Sequence, residues 1–414
     1  MSNLKAVNTQ KGKIGANRLN NDRKVSGLIV SSPVNALLAF KKTVKIYGLF
    51  DAEQYGITKK FDQDNNVNVY RHVREFYRGA GEGVLLNLMT VAQTETLVSI
   101  IEDTAGDKLK QFLVDSEFKN RQLAIALNPT AVVAAVNGLI PDVYASIAKA
   151  QGTAMWAYDQ FMPTHIFVEG FGLNGLSSVV PDLRAIENLD ATKVTMCIGQ
   201  DWSYAETKTG LAQKFADVGT VLGICAAAAI NQNIGDNEAF NLTDDTKDAW
   251  LVPGLSSHQK NSEVYAQLQT FENKGYVFGL IYPGMPGVRI NNDHVCAPIV
   301  IDSEGNMNEH TIAYGRMMDD CVRQIRTAYL PKIKKTYPVN SEGKLPKGVL
   351  VSLEIIGDTI FEDMEKAVEI SSGKTTIDPD SDLLVAKELK VAFNVQPTGT
   401  LGYLNGTINL KAKA

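Results

Sequence analysis

Gly170, Gly172 and Gly175 (GFGLNG) spell a G-x-G-x-x-G directly after the apolar run HIFVE, where a dinucleotide-binding unit puts its phosphate turn. Pro181 then falls in the stretch that would form the dinucleotide helix, where it removes an amide and clashes with the preceding turn. Ser372-Gly373-Lys374-Thr375 has the ending of a phosphate-binding loop, but the earlier glycine that lets backbone amides wrap a phosphate would stand at Val368, a β-branched residue. Asp293, His294 and Cys296 offer three kinds of metal ligand in close succession, without the fourth ligand and spacing that zinc requires. None of His72, His165, His258, His294 and His310 pair at i, i+4, and Gly254-Leu255-Ser256-Ser257-His258 lacks the elbow pattern of serine hydrolases. Cys197, Cys225, Cys296 and Cys321 are too far apart for a metal knuckle or redox motif and read as buried thiols. No catalytic, cofactor or metal constellation emerges, so a protein that is not an enzyme and carries no cofactor is expected.

The elements around these residues alternate. Residues 83–91 (GVLLNLMTV), 122–127 (QLAIAL), 165–169 (HIFVE) and 193–199 (KVTMCIG) are short apolar runs bounded by Gly, Pro or polar residues and read as strands. Between them, residues 67–78, 97–113, 141–161 and 211–230 have the three-and-four apolar spacing of helices. The apolar stretch 218–230 has 13 residues, short of a bilayer span, and reads as a buried helix. After about residue 290 the pattern changes. Residues 309–333 predict a long helix with Ile312, Met317 or Met318, Val322, Ile325 and Tyr329 along one face and basic residues along the other. Pro338, Gly343, Pro346 and Gly348 then predict a turn, followed by residues 349–355, a helix near 358–368 and an alternating strand at 389–395. The expected fold is an α/β body with a mixed sheet plus a smaller α+β C-terminal domain and extended N- and C-terminal arms. Its boundaries fall at residues 1–24 (arm), 25–290 (body), 291–404 (C-terminal domain) and 405–414 (arm).

Composition supports a folded chain. Of 414 residues, 44% are hydrophobic and 21% charged, which excludes wholesale disorder, and a net charge of −5 argues against a surface devoted to nucleic acid. The polar first residues contain no apolar run of a signal peptide, so the chain is expected to be cytosolic when made, with no membrane-spanning segment. Charge is uneven along the chain. Residues 1–24 carry six basic residues against Asp22 alone, residues 316–335 carry six against two acidic, and Lys411 and Lys413 lie near the end, which leaves the rest at −16. An acidic body with basic extremities suits like copies meeting head to tail. Within the N-terminal arm, Leu4-Ala6-Asn8 alternate with Lys5-Val7-Thr9, and residues 400–413 (TLGYLNGTINLKAK) alternate again, so both ends read as strands awaiting a partner edge.

Three blocks, in order, resemble the sheath proteins of contractile phage tails and related injection machines. The first is Val25-Ser26-Gly27-Leu28-Ile29 after a polar arm, followed by Tyr70-Arg71-His72-Val73-Arg74-Glu75-Phe76. The second is Cys197-Ile198-Gly199-Gln200-Asp201, then Asp217-Val218-Gly219-Thr220-Val221-Leu222-Gly223 and Asn233-Ile234-Gly235. The third is Asn292-Asp293-His294 with Tyr314, Arg316, Asp319 and the run CVRQIRTAYLP; Cys321-Val322 replaces the lysine-alanine pair of many sheaths. The resemblance implies a structural subunit that polymerises helically around a tail tube and contracts to drive the tube through a cell envelope. Implied partners are copies of itself in stacked rings, the tail tube protein, and baseplate and tail terminator proteins, in a virion tail assembled in the host cytoplasm. It also implies that arm residues Leu4, Ala6, Val7, Thr407, Ile408 and Leu410 join neighbouring subunits, and that Arg316, Arg323, Arg326, Lys332, Lys334 and Lys335 face the tube. Two rivals stay open: a soluble α/β enzyme with a nucleotide at residues 170–175, and another tail component such as a tube or baseplate protein.

Overall fold

Strands that are apolar at nearly every position belong between two layers of helices, and a computed structural model describing residues 22–101 and 108–411 has that arrangement. One six-stranded sheet runs in the order β2-β3-β1-β4-β5-β6. Its strands are β1 (Ser26–Ser32), β2 (Thr43–Ile46), β3 (Leu86–Ala92), β4 (Gln122–Ala126), β5 (His165–Glu169) and β6 (Val194–Cys197). All neighbours are parallel except β2, which pairs antiparallel with β3 at one edge, so the sheet is mixed. Period-two alternation divides the side chains. Leu28, Val30, Leu86 and Leu88 face one core with helices α1 (Leu49–Gln54), α2 (Lys59–Asn65), α3 (Val69–Ala80) and, later in the chain, a helix over Val218–Ala227. Ile29, Met89, Leu123 and Ile166 face the other, under α4 (Leu97–Ile101), α5 (Lys108–Asp115) and α6 (Pro141–Asp159).

The predicted strand at 193–199 divides at Ile198. After β6 the chain leaves the large sheet and forms β7 (Gly199–Asp201), which pairs with β8 (Pro253–Leu255), itself paired with β9 (Gln259–Lys260). The predicted helix at 211–230 also divides, at residues 215–217. Ala216 N donates to Glu169 Oε1 (2.8 Å) and the Asp217 carboxylate is drawn to Arg71, which fixes this link outside helical geometry. Before it, α7 (Trp202–Ala205) packs Ala205 into the second core, and beyond it α8 (Val218–Ala227) completes the first layer. α8 packs backbone to backbone on α3: a Cβ on Gly219 would lie 2.4 Å from the His72 carbonyl oxygen, and one on Gly223 2.6 Å from that of Phe76. Residues 97–113, expected as one helix, contribute α4 and α5 on either side of residues outside the described set.

His72, on α3 at this contact, is fully buried with its ring edge-on to Phe215, and neither ring nitrogen has a hydrogen-bond partner among the described residues. Burial, with the nearby Arg71 charge, lowers its pKa to about 3. A histidine held neutral in the fold contributes stability that is complete above about pH 6.5 and is lost as pH falls toward the folded value, at up to about 1.4 kcal/mol per unit. His72→Phe, which keeps a ring against Phe215, is expected to lose less stability than the natural chain between pH 7 and pH 5. Urea midpoints at the two pH values measure this, and equal losses would refute it.

Beyond the body, α9 (Tyr265–Asn273) and the short pair β10 (Gly279–Leu280) and β11 (Arg289–Ile290) lead to the C-terminal elements α10 (Ile312–Tyr329), α11 (Lys347–Lys366), β12 (Ile370–Ile377) and β13 (Val391–Pro397). The turn predicted around Gly348 and the separate helix after it are in fact one helix, α11, which starts directly after Pro346 at its N-cap. β12 was not anticipated, because its sequence ISSGKTTI is polar. It pairs antiparallel with β13, and Ile370 and Ile377 turn inward onto two small cores that include Phe361, Met364 and Leu353. No helix among the described residues is long and apolar enough to cross a membrane.

Candidate functional site

The chemistry-bearing motifs have packing roles. Gly170 N donates to Cys197 O (2.7 Å), Gly172 N donates to Lys214 O (2.9 Å), and no helix follows before β6. Ser372-Gly373-Lys374-Thr375 lies inside β12, where the bare Gly373 admits the Phe361 ring: a Cβ there would stand 2.4 Å from Phe361 Cγ. Asp293 holds the start of α10, its main-chain oxygen accepting from Ile312 N (3.0 Å) and its carboxylate from Ala313 N (3.2 Å). His294 bridges Arg184 and Glu272, each at 2.8 Å, and burial pushes the Cys296 thiol up to about 12. Among the described residues no group of three or more His, Cys, Asp or Glu is placed to hold a metal ion.

α10 joins the C-terminal elements to the body through charge. Arg316 is buried and donates to Ala228 O (3.2 Å) and Ala229 O (3.1 Å), the carbonyls that end α8, where a cation also meets the negative end of the helix dipole. Lys193, buried at the start of β6, pairs with Asp319 (2.5 Å) and Glu309. Arg323 is buried and donates to Pro163 O, and the Arg326 guanidinium lies 3.5 Å from the centroid of Phe161. Near the start of the described residues, Arg23 pairs with Asp320 (2.7 Å) and Glu369 (2.5 Å). Three of the six residues expected on one basic face thus turn toward the body. Lys332, Lys334 and Lys335 follow the helix beyond Pro331, and among the described residues none has an ion-pair partner.

The two-stranded sheet has unlike edges. On the outer side of β12 the amides of Gly373, Thr375 and Ile377 donate to Glu365, Asp358 and Glu354, carboxylates of α11 at 2.8 to 3.0 Å, so this edge is occupied. By the alternation of an antiparallel ladder, Val391, Phe393 and Val395 then direct their main-chain groups away from β12, and no third strand joins that side among the described residues. A groove of about 880 Å³ runs along this free edge, between Phe393–Pro397 of β13 and Met155, Tyr158, Met307 and Met318.

From Gly399 the chain continues to Lys411 without secondary structure, with Leu401, Tyr403, Leu404, Ile408 and Leu410 78 to 103% exposed. Of the six residues expected to join neighbours, Thr407, Ile408 and Leu410 lie on this exposed tail, and Leu4, Ala6 and Val7 lie outside the described residues. The free β13 edge and its groove were missed as an acceptor from the sequence. The signal was the strict alternation of residues 389–395, which announces a strand but not which of its edges lacks a neighbour.

Two family models match the chain: DUF2586, N-terminal domain, over residues 4–294, and DUF2586, C-terminal domain, over residues 310–414. No curated protein matches. Among solved structures, a chain of the anti-feeding prophage helical sheath in the contracted state is similar at 10% identity and TM-score 0.56, over 93% of this chain and 93% of that one. A chain of the anti-feeding prophage baseplate aligns at 10% identity and TM-score 0.57, covering 94% of each. The sheath complex of an extracellular contractile injection system (PVC), also contracted, aligns at 9% identity and TM-score 0.54, over 94% of this chain and 92% of that one. At such identities the likeness is one of fold, and it extends over nearly the whole chain, body and C-terminal elements together.

Proposed function

The chain belongs to the DUF2586 family, and from that footing we propose that it is a structural subunit of a contractile tail sheath. Copies assemble helically around a tail tube, and contraction of the array drives the tube through a target cell envelope. The observation that carries this reading is the free β13 edge with its apolar groove, on a chain that also has an exposed, alternating tail with no strand partner among the described residues. A tail that cannot pair at home and an edge with an empty place beside it are complementary between copies, and main-chain pairing holds neighbours while body contacts change. An N-terminal arm ahead of Arg23, which itself pairs with Asp320 and Glu369, would make a second link. Further partners are the tube, baseplate and tail terminator proteins of a tail or injection machine assembled in the host cytoplasm, with no nucleic acid and no catalysis. Negative-stain microscopy of the purified protein tests the reading: striated hollow cylinders are expected, and a discrete soluble oligomer that binds nucleotide would replace it with the enzyme rival.

With Arg316 and Arg323 engaged inside the chain, the tube-facing role falls to Lys332, Lys334 and Lys335, with Arg326 at their base. Exposed ion pairs contribute only about 0 to 1 kcal/mol each, but the same contact recurs in every subunit along a tube. Reversing the three lysines to Glu is expected to spare folding and sheath self-association and to prevent coating of tubes, scored by microscopy of co-assembled tube and sheath. Normal coating by the triple variant would remove this segment from the tube face.

A further inference from the structure

A second groove lies on the body and shares no lining residue with the one at the β13 edge. It encloses about 910 Å³ between α9 and residues 278–283, with apolar walls that include Leu251, Leu268, Phe278 and Leu280. Its rim exposes Tyr265 (66%) and Ile281 (46%). Asn261 is among its lining residues: it is 7% exposed, its Nδ2 donates to Gly279 O (2.7 Å), and its buried Oδ1 has no hydrogen-bond partner among the described residues. An apolar groove with one buried acceptor suits an aromatic side chain bearing a donor, which a tyrosine supplies.

The tail brings such a residue to its rim. Asn231 Nδ2 donates both to Val368 O and to Thr398 Oγ1, each at 2.9 Å, and so pins the root of the tail to the body just after β13. From there Gly402 and Tyr403 border the groove while Tyr403 remains 81% exposed. We propose that this groove is the intramolecular seat of the tail in the unassembled subunit, with the Tyr403 ring entering it and the hydroxyl reaching Asn261, so that residues 401–404 are withheld until a neighbour's β13 edge competes for them. The proposal rests on the reading of the tail as the donated strand. It makes the groove a store that lowers the fraction of tails competent for assembly, and the apparent rate of association falls by that fraction.

The test uses the full chain. In the double variant Tyr403→Cys with Ala266→Cys, oxidised while the protein is dilute and monomeric, a disulfide within one chain is expected, and assembly should stop until reductant is added. No crosslink, or crosslinks only between chains, overturns the proposal, the latter assigning the groove to the tail of a second copy. Ala266 is exposed on α9, so Ala266→Glu fills the rim without touching the core. It should shorten the lag of assembly about tenfold if the tail is docked nine-tenths of the time. An unchanged lag in Ala266→Glu, with assembly still lost on removing the tail, defeats the seat and leaves strand donation standing. Assembly that survives removal of the tail defeats strand donation itself.

Discussion

Deleting residues 400–414 is expected to leave the subunit folded and to abolish cylinders. The described part of this segment has no strand partner, and its five large apolar side chains lie in solvent, so its loss removes no core contact. In the assembly the same residues would complete the β13 edge. Each main-chain hydrogen bond formed there contributes about 0.5–1.5 kcal/mol, and several form together with burial of apolar side chains in the 880 Å³ groove. Losing that link at every subunit interface would convert a polymer to monomers. Circular dichroism should match the full chain and melting should stay cooperative while microscopy shows no cylinders. A peptide of residues 398–414 should inhibit assembly of the full protein by occupying the edge first. Long cylinders from the truncated chain under the same conditions would show that the tail is not the connector.

Arg71→Ala is expected to cost the body about 3–5 kcal/mol, because it leaves buried carboxylates without their counter-charge. Arg71 Nε donates to Asp217 (3.0 Å), Nη2 donates to Asp201 (3.1 Å), and Nη1 lies 3.3 Å from Glu75, all with side chains essentially without solvent contact. The guanidinium also sits 4.3 Å from the Tyr204 ring centroid. This one fork ties α3 to β7 and to the start of α8. Set against a typical stability of about 5–15 kcal/mol, the loss is a large fraction. Arg71→Lys should recover only part of it, since one ammonium cannot reach three carboxylates in a fixed plane. Burial alone would raise the Glu75 pKa, but Arg71, Arg78 and Arg74 hold it at about 2. Its contribution is therefore present above the ordinary value near 4.5 and is lost as pH falls toward 2. Urea unfolding of the three chains at pH 7 measures the order, and an Arg71→Ala midpoint equal to that of the natural chain would refute it.

Much of the body was legible because local physics dictates it. Residues 165–169 and 122–126 are strands since each is apolar along its length and bounded by polar residues or Pro, and α6 follows its apolar spacing from Pro141. Elements went astray where long-range polar contacts overrode the local pattern. The helix expected over 211–230 breaks because Asp217 answers to Arg71, 146 residues earlier in the chain. β12 escaped notice because only Phe361 and the α11 carboxylates make a polar, glycine-bearing segment into a strand.

The basic helix shows the same division. Its periodicity placed Arg316, Arg323 and Arg326 near one face, and the structure turns that face inward, toward the end of α8, Pro163 and Phe161. Spacing along a helix determines which residues share a side, but what that side meets depends on elements far away in sequence. By itself, the sequence determined an α/β chain without a recognisable catalytic cluster, an acidic body, and an alternating apolar tail, because composition and period act locally. Only the tertiary structure decided that α11 occupies one edge of the small sheet while the other stays free. Edge pairing depends on which backbone groups still lack a partner once every other element has packed, a property of the whole fold and of no segment of it.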